Sequence, residues 1–178
     1  MQYILKNGKT LLIRKAQEDD AREIVKISDK IGGESDNLTF GVDDYYFDEE
    51  EERIIIRNIK KRNNCLFIVG IVDERIVGIL TFIASQRKRL MHRGDVSIYI
   101  LKDYWGLGIG SYMMDYFLNW AKEAKTIKKV SLEVRADNQR AINLYKKFGF
   151  EIEGTIKDAL CINGTLYDTY FMAKKIGR

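Results

Sequence analysis

Proline is absent from this chain of 178 residues, where average usage would give about nine, so no turn or helix start here is marked by one. Cysteine occurs twice and histidine once. Cys65 and Cys161 sit in strand-like apolar runs without C-x-x-C spacing, which argues against a disulfide frame and for reduced core thiols. His92 stands alone in a basic loop, so no metal centre is expected. No apolar run approaches the roughly 18 residues of a membrane span. The start, MQYILKNGKTLLIRKA, lacks a basic head, an unbroken apolar stretch and a small-residue cleavage site, so a cytoplasmic location is expected.

What is present is the composition of a globular protein: 46% hydrophobic and 31% charged residues, enough to bury a core as a single domain over residues 1–178. The formal net charge of +4 is too small to argue for nucleic-acid binding, and neither a nucleic acid nor a membrane is expected as a partner. The chain is compatible with a homodimer. Charge does cluster locally: DDYYFDEEEER (Asp43 to Arg53) is acidic and suited to attract a cationic substrate, and QRKRLMHR (Gln86 to Arg93) is basic.

The hydrophobic periods predict a definite order of elements. TLLIRKA reads as a strand, and EDDAREIVKISDKIG as a helix with Ala21, Ile24, Val25, Ile27 and Ile31 inward. Gly32 to Phe47 reads as a loop, and DEEEERIIIRNIKKRNN as a second helix with acids first and cations last, as its dipole favours. CLFIVGIVDERIVGILTFIAS predicts two strands around a turn at Asp73-Glu74, and DVSIYIL another strand. A helix follows on Met113, Met114, Phe117, Leu118, Ala121 and Ala124. KVSLEVRA alternates as a strand, DNQRAINLYKKFG reads as a helix capped by Asp137 or Asn138 and closed by Gly149, and the C-terminal run holds two strands joined at Asn163-Gly164. The fold class is therefore α+β: a mixed, mostly antiparallel sheet of about seven strands flanked by helices.

DYWGLGIGSYMM places glycines at 106, 108 and 110 just ahead of the third helix. Backbone N–H groups at a helix start have no intrahelical partners and carry partial positive charge, and glycine leaves them bare to an anion such as a pyrophosphate, with Ser111 adding a hydroxyl. Two familiar alternatives fail. A P-loop needs a lysine directly after its last glycine, and a dinucleotide fingerprint needs a parallel strand-helix-strand unit with an acid at its far end.

Set between VSIYILKDYW and LEVRADNQRAINLYKKFGF, the glycine segment resembles that of the GNAT superfamily of acyl-CoA-dependent N-acyltransferases, and the resemblance extends over nearly the whole chain. It implies acetyl-CoA as donor and an amine, a small molecule or a peptide N-terminus, as acceptor. It further implies that the main chain of Ile98, Ile100 and Leu101 pairs with the pantetheine arm, and that Gly106, Leu107, Gly108, Ile109, Gly110 and Ser111 hold the pyrophosphate. Asn138 then contacts the cofactor or holds the strand-to-helix junction, and Tyr145 faces the thioester sulfur. Trp105 departs from the family's Gln or Arg at the first loop position, which removes one polar contact.

Acetyl transfer to an amine needs a neutral nucleophile, a stabilised oxyanion and a protonated leaving thiolate. A free alkylamine titrates near the 10.4 of lysine and must shed a proton first. Glu133 alternates with the core-facing Leu132 and Val134 and so points the other way, which makes it the expected base, with burial raising its proton affinity or a water relaying the proton. Asp95 and Glu34 stand in reserve. LEVRADNQRAINLY also resembles ribosomal-protein alanine N-acetyltransferases, in which the corresponding glutamate is the base and the tyrosine the acid. The N–H of Ile100 or Leu101 is expected to bind the thioester carbonyl. With neither cysteine near these motifs, direct attack without an acyl-enzyme follows. A second reading is an acetyl-CoA-binding sensor or interaction module without turnover.

Overall fold

The computed structural model describes residues 1–41 and 44–177. Val42, Asp43 and Arg178 lie outside the described residues, Asp43 being the first residue of the stretch read above as acidic. The chain runs β1 (Gln2–Ile4), β2 (Thr10–Lys15), a 3₁₀ turn (Glu18–Asp20), α1 (Ala21–Glu34), α2 (Glu49–Lys60), β3 (Leu66–Val72), β4 (Arg75–Ala84) and β5 (Arg93–Ile100). A second 3₁₀ turn (Lys102–Tyr104) leads to α3 (Ile109–Glu123), β6 (Lys129–Arg135), α4 (Gln139–Lys147), β7 (Glu151–Ile162) and β8 (Thr165–Lys175).

Eight strands form one sheet in the order β1-β2-β3-β4-β5-β6-β8-β7. The three-residue β1, pairing with β2, is the strand the periodicity missed, because three residues are too few to show alternation. Every described pairing is antiparallel except β5 with β6. Both predicted hairpins form. Asp73 (φ 49°) and Glu74 (φ 63°) turn β3 into β4, and Asn163 (φ 50°) and Gly164 (φ 79°) turn β7 into β8, the positive φ values that match strand twist.

α2 begins where its acids predict. The Asp48 carboxylate accepts from the N–H groups of Glu50 and Glu51, and Glu51 returns the bond to the Asp48 N–H, a reciprocal cap. Glu52 turns inward instead and is buried, its carboxylate accepting from the Tyr45 hydroxyl at 2.8 Å. Asn138, not Asp137, caps α4, its Oδ1 accepting from the Ala141 N–H. The Asp137 carboxylate accepts instead from the Arg135 guanidinium.

α3 lies against the sheet where glycines make room. A Cβ at Gly70 or Gly78 would come within 3.3 or 3.0 Å of the Met113 sulfur, and Phe82 meets the Phe117 and Trp120 rings at 5.1 and 5.9 Å. One expectation about the core is corrected: Cys65 is buried, but Cys161 is exposed. β7 is an edge strand, accessible along nearly its whole length, so an apolar run there did not imply burial. Among the described residues no helix is long and apolar enough to cross a membrane.

Candidate active site

β5 and β6 run side by side only briefly. Their parallel register covers Arg93 with Lys129, Gly94 with Val130 and Asp95 with Ser131, and then the strands part, while β5 stays paired to β4 as far as Ile100. The Leu101 N–H donates to the Val77 carbonyl at 3.0 Å. In an antiparallel pair, successive residues turn their N–H and C=O groups to opposite sides, so Ile98 and Ile100 direct theirs toward the open edge. That corrects the expectation for Leu101, whose N–H is already spent on β4 and whose side chain is buried. The Ile100 carbonyl accepts from the Trp105 indole N–H at 2.7 Å, leaving the Ile98 main chain and the Ile100 N–H along the gap.

The opening continues into one groove of about 970 Å³ that reaches the glycine turn. Of the residues the sequence singled out, Ile98, Ile100, Gly106, Gly108, Ile109, Gly110, Ser111, Glu133, Asn138 and Tyr145 line it, as does Asp95. Leu101 and Leu107 are not among its lining residues. Glu34 is not either: its carboxylate accepts from the Lys102 N–H at 2.7 Å and pairs with Lys30, joining the end of α1 to the second 3₁₀ turn.

The three glycines do different work. Gly106 (φ 78°) and Gly108 (φ 96°) take left-handed backbone that residues with a Cβ adopt at a cost. At Gly110 space is tight, because a Cβ there would sit 3.2 Å from the Leu144 side chain and 3.4 Å from that of Ile100. The Tyr112 N–H bonds back to the Gly108 carbonyl, and the amides of the preceding first turn have no intrahelical acceptor. Cations stand around this end. The Arg140 guanidinium lies 4.6 Å from the centre of the Trp105 ring, Lys147 donates to the Ser111 hydroxyl, and Lys6 lines the same groove. The Trp105 indole is pinned to Ile100 and carries Arg140 on its face, a cation–π arrangement that spacing alone did not reveal.

The other end is acidic. Glu133 is exposed, and its Oε1 accepts from the buried Thr169 hydroxyl at 2.6 Å; the burial expected of it is not found. Asp95 is exposed as well, and partial desolvation holds its carboxyl above the usual value, with Arg93 pulling it back and the Glu133 carboxylate pushing it further. Tyr145 is only 8% exposed, and burial, reinforced by Tyr99, raises its phenol well above the ordinary 10. Above the groove, Arg135 donates to the Asp36 carbonyl and to Asp137 and lies 4.2 Å from the centre of the Tyr167 ring, tying the segment after α1 to the end of β6.

Comparison with known proteins gives this geometry a context. The model of the acetyltransferase (GNAT) family matches residues 34–150. The L-amino acid N-acetyltransferase AaaT of Escherichia coli is 36% identical over 107 residues, which are 60% of this chain and 66% of that protein. An N-alpha-acetyltransferase of Sulfurisphaera tokodaii is 34% identical over 154 residues, 82% of this chain and 83% of that protein. Among solved structures, an acetyltransferase of the GNAT family from Streptococcus pneumoniae superposes with a TM-score of 0.91 at 34% identity, over 94% of this chain and 99% of that one. The yncA protein of Salmonella typhimurium, solved with its cofactor acetyl-CoA, shares the fold at a TM-score of 0.83 and 15% identity over 94% of each chain. With the family model matched over most of its length and the same fold throughout, the chain belongs to the GNAT family of acetyltransferases.

Proposed function

We propose that the protein, acting as a single domain, transfers an acetyl group from acetyl-CoA to a primary amine by direct attack in a ternary complex. The observation that carries the reading is the continuity of the parted β5 and β6 edge with the glycine turn in one groove. Pantetheine lies along the gap and bonds to the Ile98 main chain. The pyrophosphate rests on Gly106 to Ser111, with Arg140, Lys147 and Lys6 supplying countercharge. Asn138 acts as a junction cap rather than a cofactor ligand.

At the other end the incoming ammonium meets Glu133 and Asp95. Asp95 takes the proton, its carboxyl raised by partial desolvation beside a second carboxylate, and Glu133, held by Thr169, orients the amine. The free amine attacks the thioester carbonyl, whose developing charge is met by the Ile100 N–H. The C–S bond breaks as the tetrahedral intermediate collapses, its nitrogen gives up its remaining excess proton to water, and Tyr145 donates a proton to the leaving sulfur and regains one from solvent. Neither cysteine lines the groove, which supports a route without an acyl-enzyme.

Isothermal titration with acetyl-CoA, joined to a thiol-release assay over a panel of amines, tests this. Binding with turnover is the expected result. Binding without turnover on any amine would make the protein a sensor, and absence of both would remove the reading.

A further inference from the structure

The groove is electrically polar along its length. Its lining cations, Lys6, Arg140 and Lys147, gather at the glycine turn, where Arg140 stacks on Trp105 and Lys147 bonds Ser111. Its two acids, Asp95 and Glu133, stand where β5 and β6 part. The wall on the acid side is otherwise uncharged, with Ile31, Asn37, Leu38, Thr39, Tyr99 and Phe171 among its residues.

We infer that the acceptor is a peptide N-terminus: an α-ammonium followed by a neutral amide, not a free amino acid and not a polyamine. The inference rests on the acetyltransferase reading and narrows its acceptor.

A free amino acid carries its carboxylate one carbon away from the amine. Bound here it would bring that charge up to Asp95 and Glu133, and like charges in a partly desolvated site disfavour one another. A cation is needed to offset it. Arg93 acts on Asp95 already, Arg135 is committed to Asp137, the Asp36 carbonyl and the Tyr167 ring, and neither lines the groove. A polyamine poses the opposite problem, since its second ammonium asks for a further carboxylate. Of the nearby acids, Glu34 is taken by Lys30 and the Lys102 N–H, Asp137 by Arg135, and Asp168 by Lys157.

A peptide N-terminus offers one ammonium to the two acids, a neutral carbonyl after it, and a first side chain for the Leu38, Tyr99 and Phe171 surface. Its α-amine, titrating near 7.7–8.0, also sheds its proton far more readily than a lysine-like amine near 10.4, which suits a carboxylate base.

The test compares thiol release from acetyl-CoA with three acceptors: a tripeptide amide beginning with methionine, free methionine, and spermidine. The expected kcat/KM for the tripeptide exceeds each of the others by at least about tenfold. A Thr39→Lys variant, which places a cation on the uncharged wall, should raise the rate with free methionine relative to the tripeptide. Free methionine or spermidine turned over as well as the tripeptide by the unaltered protein would overturn the inference and leave the acetyltransferase reading standing. Failure of every acceptor, with or without acetyl-CoA binding, would overturn both.

Discussion

Tyr145 carries two demands at once. Its ring packs 5.9 Å from that of Phe150, while its place on the groove wall makes it the proposed proton donor to the leaving sulfur. Burial holds its phenol protonated beyond the ordinary 10, so it stays a donor across the pH range of an assay and contributes no alkaline limb near neutrality. Tyr145→Phe keeps the ring and deletes the donor. The expected outcome is a fall in kcat of roughly 10² with acetyl-CoA affinity and Tm nearly unchanged; full kcat would return Tyr145 to a packing role. Asp95 is the complementary case. A base whose proton affinity is raised must lose its proton before it works, so the acid limb of the kcat/KM profile should fall above the usual aspartate value near 3.9. Asp95→Asn should abolish that limb and lower kcat near neutral pH by about 10². A limb kept in the variant would pass the role to Glu133.

At the scale of elements, the helix start of α3 and the inward face of α2 are both settled by single positions. Gly108 takes φ 96° as the residue before α3, so any side chain there strains the backbone, and a carboxylate also opposes a bound pyrophosphate. Gly108→Ala isolates the strain, about 1 kcal/mol of stability. Gly108→Glu should add a loss of at least about tenfold in acetyl-CoA affinity, about 1.4 kcal/mol, read by titration calorimetry on the folded variant. Equal affinities for the two variants would remove the phosphate role of the turn. On α2, burial raises the proton affinity of Glu52, with the Tyr45 hydrogen bond opposing. A carboxyl that binds its proton more tightly when folded favours folding at low pH, and that contribution is lost as pH rises through its folded value. Glu52→Gln removes this titration. The Tm of the variant relative to the unaltered protein should therefore climb as pH rises above the ordinary glutamate value near 4.3, and a difference independent of pH would show that Glu52 does not titrate on folding.

At the scale of the whole molecule, one topological event organises the site. A single parallel pairing in an otherwise antiparallel sheet lasts three residues and then opens, and the helix between the two strands starts at the mouth of that opening. Charge is thereby divided along one groove, with cations toward the glycine turn and acids where the strands part. Segments distant in sequence close the upper side: Glu34 accepts from the Lys102 N–H, and Arg135 holds Asp36. The glycine turn and the segment over the groove are thus tied to the same frame, and the groove wall is assembled from α1, β5, β6 and β8 among other elements.

The sequence by itself determined the element types, the two hairpins and the glycine turn, because these answer to local rules: alternation over several residues, positive φ at Asn163-Gly164, and a capping carboxylate at Asp48. Most of the site residues it named also line the groove, since motif spacing preserves their order along the chain. Tertiary structure alone decided what those residues face. The parting of β5 from β6 depends on where α3 and α4 pack, and neither strand's own pattern records it. The same holds for the Leu101 N–H spent on Val77, for Trp105 carrying Arg140, for the nearness of Asp95 to the Glu133 carboxylate, and for Cys161 on an open edge. Burial, charge coupling and a free strand edge are properties of neighbours brought from far along the chain, and only the folded molecule specifies them.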